Sequence, residues 1–150
     1  GRAEARPRER RGGLGVTLPV GGILETCLYA PDLDAAEAFY GGLLGLRRHV
    51  RVGARHVFYR CGGQMLLIFN PAETQVADTG GPFPVPPHGA HGPGHVCFRA
   101  QDLDAVRAEL EAAGQVIDAD FSWPNGARSV YTRDPAGNSV EFAEPALWGV

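Results

Sequence analysis

Three side chains in this sequence have the chemistry needed to hold a divalent metal ion: Glu25, His95 and Glu141. A set of two carboxylates and one imidazole leaves coordination positions open for water and substrate, which a catalytic metal site requires. We therefore expect one divalent metal ion at these three residues, with Glu25 and Glu141 also acting as the catalytic carboxylates. The two carboxylates favour Mn²⁺, Fe²⁺ or Mg²⁺, and Ni²⁺ and Zn²⁺ stay as alternatives.

An internal repeat relates Glu25 to His95. Residues 25–35 (ETCLYAPDLDA) and 95–105 (HVCFRAQDLDA) are identical at six of eleven positions, at an offset of 70. Two copies of one supersecondary unit are the simplest explanation of this pattern. Glu25 and His95 then occupy equivalent places at the start of the two copies.

A second match brings Glu141 into the same scheme. Residues 56–60 (HVFYR) and 129–133 (SVYTR) both lead through a glycine-containing turn into a strand that ends at a proline. With an offset of 74 at that strand, Leu67 becomes the equivalent of Glu141. Three of the four equivalent places therefore carry side chains that bind metals, and the fourth carries leucine.

Each copy has the pattern of one strand, one helix and three further strands. In the first copy, Asp34 and Glu37 have the spacing of a capping box and predict the helix start, and Gly41-Gly42 predict its end. In the second copy, the apolar spacing predicts a helix over about 102–113. The fold class is therefore α+β, with two βαβββ modules. The strands are predicted near 23–30, 46–52, 55–60 and 64–70, and near 95–99, 115–119, 127–133 and 138–143.

The same pattern divides the chain into segments. A flexible basic tail is expected over 1–20 and one domain over 21–150. Within the domain, the modules span about 23–70 and 95–145, and the linker 71–94 is rich in proline and glycine. A linker of this length lets the two modules pair either within one chain or between two chains.

Composition excludes several functions. The chain has 150 residues with ordinary globular composition, and all 14 of its basic residues are arginine. A chain without lysine cannot form a Schiff base, attach pyridoxal phosphate or supply a P-loop lysine. The basic residues concentrated in 1–11 sit on an otherwise acidic chain, so we expect no nucleic-acid partner. No apolar run is long enough to cross a membrane, so we expect no membrane partner.

The number and spacing of the cysteines indicate the cellular compartment of the protein. Cys27, Cys61 and Cys97 are widely spaced, without a CxxC motif. This favours a reduced, cytoplasmic protein over a disulfide framework or a structural zinc site. Cys27 and Cys97 are interpreted as small buried hydrophobic residues rather than nucleophiles.

Three stretches give the chain a family resemblance: 28–46 (LYAPDLDAAEAFYGGLLGL), 95–105 and 133–145 (RDPAGNSVEFAEP). In combination they resemble the glyoxalase/bleomycin-resistance/extradiol-dioxygenase superfamily, the vicinal oxygen chelate fold. The resemblance implies half-open barrel sheets around a central metal cleft, and a homodimer. The sequence departs from the family pattern at Glu25, where histidine is usual, and at Leu67, which cannot bind a metal.

The resemblance implies a metal-dependent glyoxalase/dioxygenase-like enzyme, a lyase, isomerase or dioxygenase, whose small substrate is chelated through two neighbouring oxygens. One alternative is a metal-free protein that sequesters a drug, as bleomycin-resistance members do. Another is an antibiotic-modifying transferase of the fosfomycin-resistance type. The two neighbouring oxygens of the substrate would bind the metal, which would then stabilise developing negative charge.

Substrate contacts are expected from side chains around the cleft. Strand periodicity places some of them on the same faces as the metal ligands. Others belong to segment 123–128, which combines an aromatic ring, an amide and a guanidinium, and whose alternative role is a structural turn. A three-histidine metal site at His88, His91 and His95 is a further alternative. The expected substrate-binding residues are Tyr29, Phe69, His91, Arg99, Trp123, Asn125 and Arg128.

Overall fold

The computed structural model of the protein describes residues 17–77 and 81–150. These residues form two four-stranded sheets, one from each copy of the repeat, and the sheets do not close into a barrel. The sheet orders are β1-β4-β3-β2 and β5-β8-β7-β6, which confirms two βαβββ modules. The strands are β1 (Glu25–Tyr29), β2 (Arg47–Val52), β3 (His56–Cys61), β4 (Gln64–Phe69), β5 (His95–Arg99), β6 (Ala119–Ser122), β7 (Arg128–Arg133) and β8 (Ser139–Ala143).

The register of the two parallel strand pairs confirms the repeat. Cys27 of β1 lies opposite Leu67 of β4, and Cys97 of β5 lies opposite Glu141 of β8. Leu67 is therefore the structural equivalent of Glu141, as the offset of 74 predicts.

Both long helical segments begin at an aspartate immediately after the first strand. Helix α1 (Leu33–Glu37) is capped by Asp32, whose Oδ1 accepts a hydrogen bond from the Ala35 amide at 3.1 Å. The predicted start at Asp34 is wrong, because Asp32 is the residue that satisfies the free amide groups of the first turn. Asp102 caps α3 (Leu103–Ala112) in the same way, and this helix is confirmed. A single-turn helix, α2 (Pro71–Thr74), lies inside the predicted linker.

The first helix does not stop at its glycine pair. It continues as a π-helix over Ala38–Leu43 and passes through Gly41 and Gly42, so the predicted end is wrong. A Cβ at Gly41 would lie 3.4 Å from the Tyr59 ring, so glycine allows the widened helix to approach the sheet. The chain turns away at Gly45, whose φ of +71° suits glycine.

Strand β6 begins four residues later than the predicted strand over 115–119. A tight hairpin sets its position, because the Gly126 amide donates to the Trp123 carbonyl at 2.8 Å and Ser122 pairs with Arg128. The turn therefore fixes the register that the apolar pattern alone misplaced. The other strands agree with prediction to within about two residues at each end.

One hydrophobic core joins the modules. It is formed by one face of each sheet together with the helical segments, and the opposite sheet faces carry the candidate functional residues. Burial of this apolar surface is the main term that stabilises the fold. The buried residues of this core are Leu28, Ala30, Leu33, Ala36, Phe39, Tyr40, Val57, Tyr59, Leu66, Ile68, Leu103, Leu110, Val130, Val140 and Phe142.

A buried polar network also joins the two modules. The Tyr40 hydroxyl donates to Asp134 Oδ2 at 2.7 Å, although the residues are 94 positions apart. The amide of Asn138 donates to the Tyr29 carbonyl at 3.1 Å and accepts from the Gly94 amide at 2.7 Å. The turn before β8 is therefore held against the first module.

Residues 1–16 of the predicted tail lie outside the described residues, and the proposed segment boundaries remain predictions. In 17–77 and 81–150, no helix has both the length and the apolar character needed to span a bilayer.

Replacing Tyr40 with phenylalanine tests the buried network. The Tyr40→Phe change should lower the free energy of unfolding by about 1–3 kcal/mol, because a buried carboxylate loses a hydrogen-bond donor. Chemical denaturation measures this value. Tyr59→Phe is the matched control, since the buried Tyr59 hydroxyl has no hydrogen-bond partner among the described residues, and it should leave stability unchanged or slightly higher. Equal losses in the two variants would contradict the assignment.

Candidate functional site

A buried carboxylate facing an imidazole is the chemical centre of the second module. Glu141 Oε1 lies 3.2 Å from His95 Nε2, with the Glu141 side chain 7% exposed and the His95 side chain 50% exposed. Strands β5 and β8 pair in parallel, with Cys97 opposite Glu141. His95 lies two residues before Cys97 on the same face of β5, so its side chain comes close to that of Glu141. The pair therefore has a buried anchor and a face open to a ligand.

Both ring nitrogens of His95 lie near oxygen atoms of β8. His95 Nδ1 lies 3.2 Å from both the carbonyl oxygen and the hydroxyl of Ser139. The Ser139 carbonyl and the Glu141 carboxylate can each accept a hydrogen bond from the ring, and the Ser139 hydroxyl can either donate to Nδ1 or accept from it. In the tautomer with the proton on Nδ1, the Nε2 lone pair faces the carboxylate, and a cation can lie between these two atoms. Metal-binding histidines commonly donate their other N–H to a carbonyl in this way, so these two donors fit a metal ion.

The second oxygen of Glu141 is fixed by a chain of hydrogen bonds. The Ser129 hydroxyl donates to Glu141 Oε2 at 2.7 Å, and the Trp123 indole N–H donates to the Ser129 oxygen at 2.8 Å. The carboxylate is therefore held in one orientation. Sequence reasoning missed Ser129, although its position on β7, two residues before the partner of Glu141, was a usable signal.

An aromatic stack covers one side of the pair. The Tyr131 ring is stacked 6.2 Å from the His95 ring, and Phe121 stacks on Tyr131 at 5.9 Å. Burial, together with the hydrogen bond and charge of Glu141, raises the pKa of Tyr131 to about 12. The phenol is therefore neutral at physiological pH and serves as a hydrogen-bond donor.

The cysteines of the two sheets differ from expectation in their exposure. Cys27 and Cys97 are exposed, so the prediction that they are buried is wrong. They lie on sheet faces that the described part of the chain leaves uncovered. Desolvation of the thiol and the neighbouring Glu141 charge raise the pKa of Cys97 to about 12, so it is not a thiolate nucleophile at neutral pH.

Glu25 does not join the pair within this chain. Among residues 17–77 and 81–150, no three His, Cys, Asp or Glu side chains lie close enough to hold one metal ion. Glu25 instead lines a separate cavity on the first sheet with Arg55 and His56. The expected set Glu25, His95 and Glu141 is thus not assembled within one chain, because the two sheets do not close around a common centre.

The three-histidine alternative is not assembled either. His88 Nδ1 lies 2.6 Å from the Tyr29 hydroxyl, and the His91 ring lies 3.3 Å from the Gln75 amide nitrogen. His95 is engaged with Glu141. Within the described ranges these histidines form no metal cluster.

Segment 123–128 has the structural role that was its alternative. Asn125 donates to the carbonyls of Ala146 and Leu147 and accepts from the Ala127 amide, which fixes a turn. Arg128 does not face the pair as a free cation. Its guanidinium binds Asp120 and Asp104, and these hydrogen bonds raise its pKa further.

The other expected substrate contacts are divided among different cavities. Phe69 lines the same cavity as Glu25, whereas His91 and Tyr29 line another. Arg99 lines a third, beside Cys61 and Cys97. Their joint role in substrate binding remains a prediction.

The tyrosines give a pH prediction. The pKa of every tyrosine is raised by burial, that of Tyr59 and Tyr131 to about 12. The folded state therefore favours the neutral phenols, so the free energy of unfolding should fall as the pH rises from about 10 towards 12. Absorbance at the phenolate band, measured for native and denatured protein, should show native ionisation displaced above the denatured curve. Coincident curves would contradict the burial of these hydroxyls.

Comparisons with known proteins agree with this architecture. Residues 22–142 match the family model described as Glyoxalase/Bleomycin resistance protein/Dioxygenase superfamily. The crystal structure of lactoylglutathione lyase from Agrobacterium tumefaciens is 48% identical, with a TM-score of 0.83, and the match covers 89% of this chain and 100% of that one.

More distant structures share the fold. TioX from Micromonospora sp. ML1 is 26% identical, with a TM-score of 0.64 and coverage of 83% and 98% of the two chains. A glyoxalase/bleomycin resistance protein/dioxygenase from Nocardioides is 23% identical, with a TM-score of 0.66 and coverage of 85% of each chain, and supports the fold alone. A search of curated proteins found no match. With two βαβββ modules and a family match over most of its length, the chain belongs to the glyoxalase/bleomycin resistance protein/dioxygenase superfamily.

Proposed function

We propose that the protein is a metal-dependent enzyme of the lyase or isomerase type that acts on a small substrate bearing two neighbouring oxygens. The observation that carries the proposal is the 3.2 Å distance between His95 Nε2 and the buried Glu141 carboxylate. The similarity to a protein named lactoylglutathione lyase supports the same reaction class. His95 and Glu141 would hold the metal, which supplies Lewis-acid stabilisation of developing negative charge.

The surrounding residues determine how the site handles protons. The Ser129 hydroxyl donates to Glu141, and the Ser139 carbonyl lies 3.2 Å from His95 Nδ1. Tyr131 stays protonated, so its phenol can donate a hydrogen bond to a substrate oxygen but cannot take a proton from it.

We further propose that Glu25 completes the site from a second copy of the chain in a homodimer. The reason is that residues 17–77 and 81–150 leave one face of each sheet uncovered, with Glu25 and His95 exposed on these faces. An exposed first-sheet face of one copy and an exposed second-sheet face of another would together supply two carboxylates and an imidazole.

The Glu141→Gln variant tests the metal proposal. The neutral amide keeps the shape of the side chain but removes the charge, so we expect loss of bound divalent metal and at least a hundredfold loss of turnover. Metal content of protein purified without chelators and turnover of S-lactoylglutathione are the two measurements. Glu144→Gln, a nearby carboxylate outside the pair, is the control. Wild-type metal content in Glu141→Gln would exclude Glu141 as a ligand.

A mixture of two inactive variants tests the intersubunit site. If Glu25 acts from a second copy, Glu25→Gln and Glu141→Gln subunits should form mixed dimers in which one of two sites is intact. Random exchange of equal amounts should restore roughly a quarter of the wild-type sites, measured as bound metal. Restoration should be absent if each site is built within one chain, and that result would overturn the proposed arrangement.

A further inference from the structure

The open face of the first sheet carries a cavity that the His95–Glu141 pair does not share. It has a volume of about 410 Å³, which is within the range of small-ligand sites. Its described walls come only from the first module and from segment 81–88 of the linker. The residues that matter below are Glu25, Arg55, His56, Phe58 and Phe69.

Aromatic rings form one wall of this cavity. The His56 ring stacks on Phe58 at 4.1 Å with an interplanar angle of 12°, and Phe58 meets Phe69 edge to face at 5.4 Å. His88 packs against Phe69 from the linker side at 4.6 Å. Rings that support one another in this way form a preformed flat surface, on which another ring can pack.

Arg55 brings a positive charge to this surface. Its guanidinium carbon lies 5.8 Å from the centre of the Phe69 ring, and one of its nitrogens donates to His56 Nδ1 at 2.6 Å. No carboxylate of residues 17–77 or 81–150 forms an ion pair with it. The half-buried guanidinium therefore keeps donors available for an anion.

Comparison of the two modules explains why Arg55 has no carboxylate partner among the described residues. The repeat places Arg55 at the equivalent of Arg128, which is held by Asp120 and Asp104. The position equivalent to Asp120 is Arg51, because Arg51 faces Val57 as Asp120 faces Val130. The first module therefore has Arg51 where the second module has Asp120, the acid that pairs with Arg128.

The second acid that could neutralise Arg55 is paired with a different arginine. Asp34, the equivalent of Asp104, pairs with Arg51 at 2.5 Å rather than with Arg55. The charge reversal therefore leaves Arg55 at the aromatic cavity without the two carboxylates that hold its counterpart.

His56 supplies a second donor. Burial, and then the neighbouring Arg55 charge, lower the pKa of His56, so the imidazole is neutral at physiological pH. Because Nδ1 accepts from Arg55, the ring proton is on Nε2. Sequence reasoning gave this buried histidine no chemical role.

We propose that this cavity binds a planar ring carrying one carboxylate, with the carboxylate on Arg55 and His56 and the ring against Phe58 and Phe69. Glu25 is the acidic residue among the described lining residues, and its charge disfavours a ligand with a second carboxylate. The cavity's role as the subsite for the remote end of a substrate rests on the proposed function. The binding itself does not require the His95–Glu141 pair.

Benzoate and its neutral isostere benzamide test the proposal by NMR titration of the chelator-treated full chain. Wild-type protein should bind benzoate roughly tenfold or more tightly than benzamide, because only benzoate makes charge-assisted hydrogen bonds. Arg55→Met should weaken benzoate roughly tenfold and leave benzamide unchanged. Arg47→Met is the control, since Arg47 is exposed on β2 and does not line this cavity.

The outcomes separate this proposal from the metal site. Glu141→Gln should keep the wild-type affinity for benzoate even where it loses metal, and loss of benzoate binding in that variant would overturn the inference. Equal affinity of wild-type protein for the two probes, or an unchanged benzoate affinity in Arg55→Met, would also overturn it. If Arg55→Met does not fold, Phe69→Leu replaces it, and weaker benzoate binding is expected because the aromatic face is lost.

Discussion

The second module depends on one electrostatic constraint, the burial of the Glu141 carboxylate. A buried carboxylate is costly unless hydrogen bonds or an opposite charge compensate for lost hydration. Ser129 compensates one oxygen, while the other faces His95 at 3.2 Å. Ser139 lies beside Nδ1 of the imidazole, and Tyr131 and Cys97 lie beside the same carboxylate. The fold thus holds a buried carboxylate next to an imidazole that is half exposed on the open side of the sheet.

The repeat supplies the geometry for this constraint but not its chemistry. Leu67 occupies the place of Glu141 in the first module, so that strand position carries no carboxylate there. The equivalent arginines Arg55 and Arg128 also differ, since within the described ranges Arg128 forms ion pairs with acids and Arg55 does not. Duplication therefore gave two similar scaffolds whose open faces differ in charge and polarity.

Several features of the fold followed directly from local sequence. The repeat predicted both modules, and the alternation of apolar residues predicted most of the strands, because each strand buries only one of its faces. The helix of the second module was likewise readable from its apolar spacing. Local rules failed where tertiary contacts compete with them, as at Gly41, where close approach to Tyr59 lets the helix continue. They also failed at β6, where a hairpin turn set the register.

The candidate site, like the fold, could be predicted from the sequence only in part. The repeat alone predicts that Glu25 and His95 occupy equivalent strand positions and that Glu141 is the counterpart of Leu67, because strand pairing preserves the repeat. The fold brings His95 and Glu141 together and places Glu25 at another cavity. Among the described residues, it also pairs Arg128 with acids and leaves Arg55 without one. The physical reason is that electrostatic compensation depends on distances across the fold, to which residues far apart in the chain contribute.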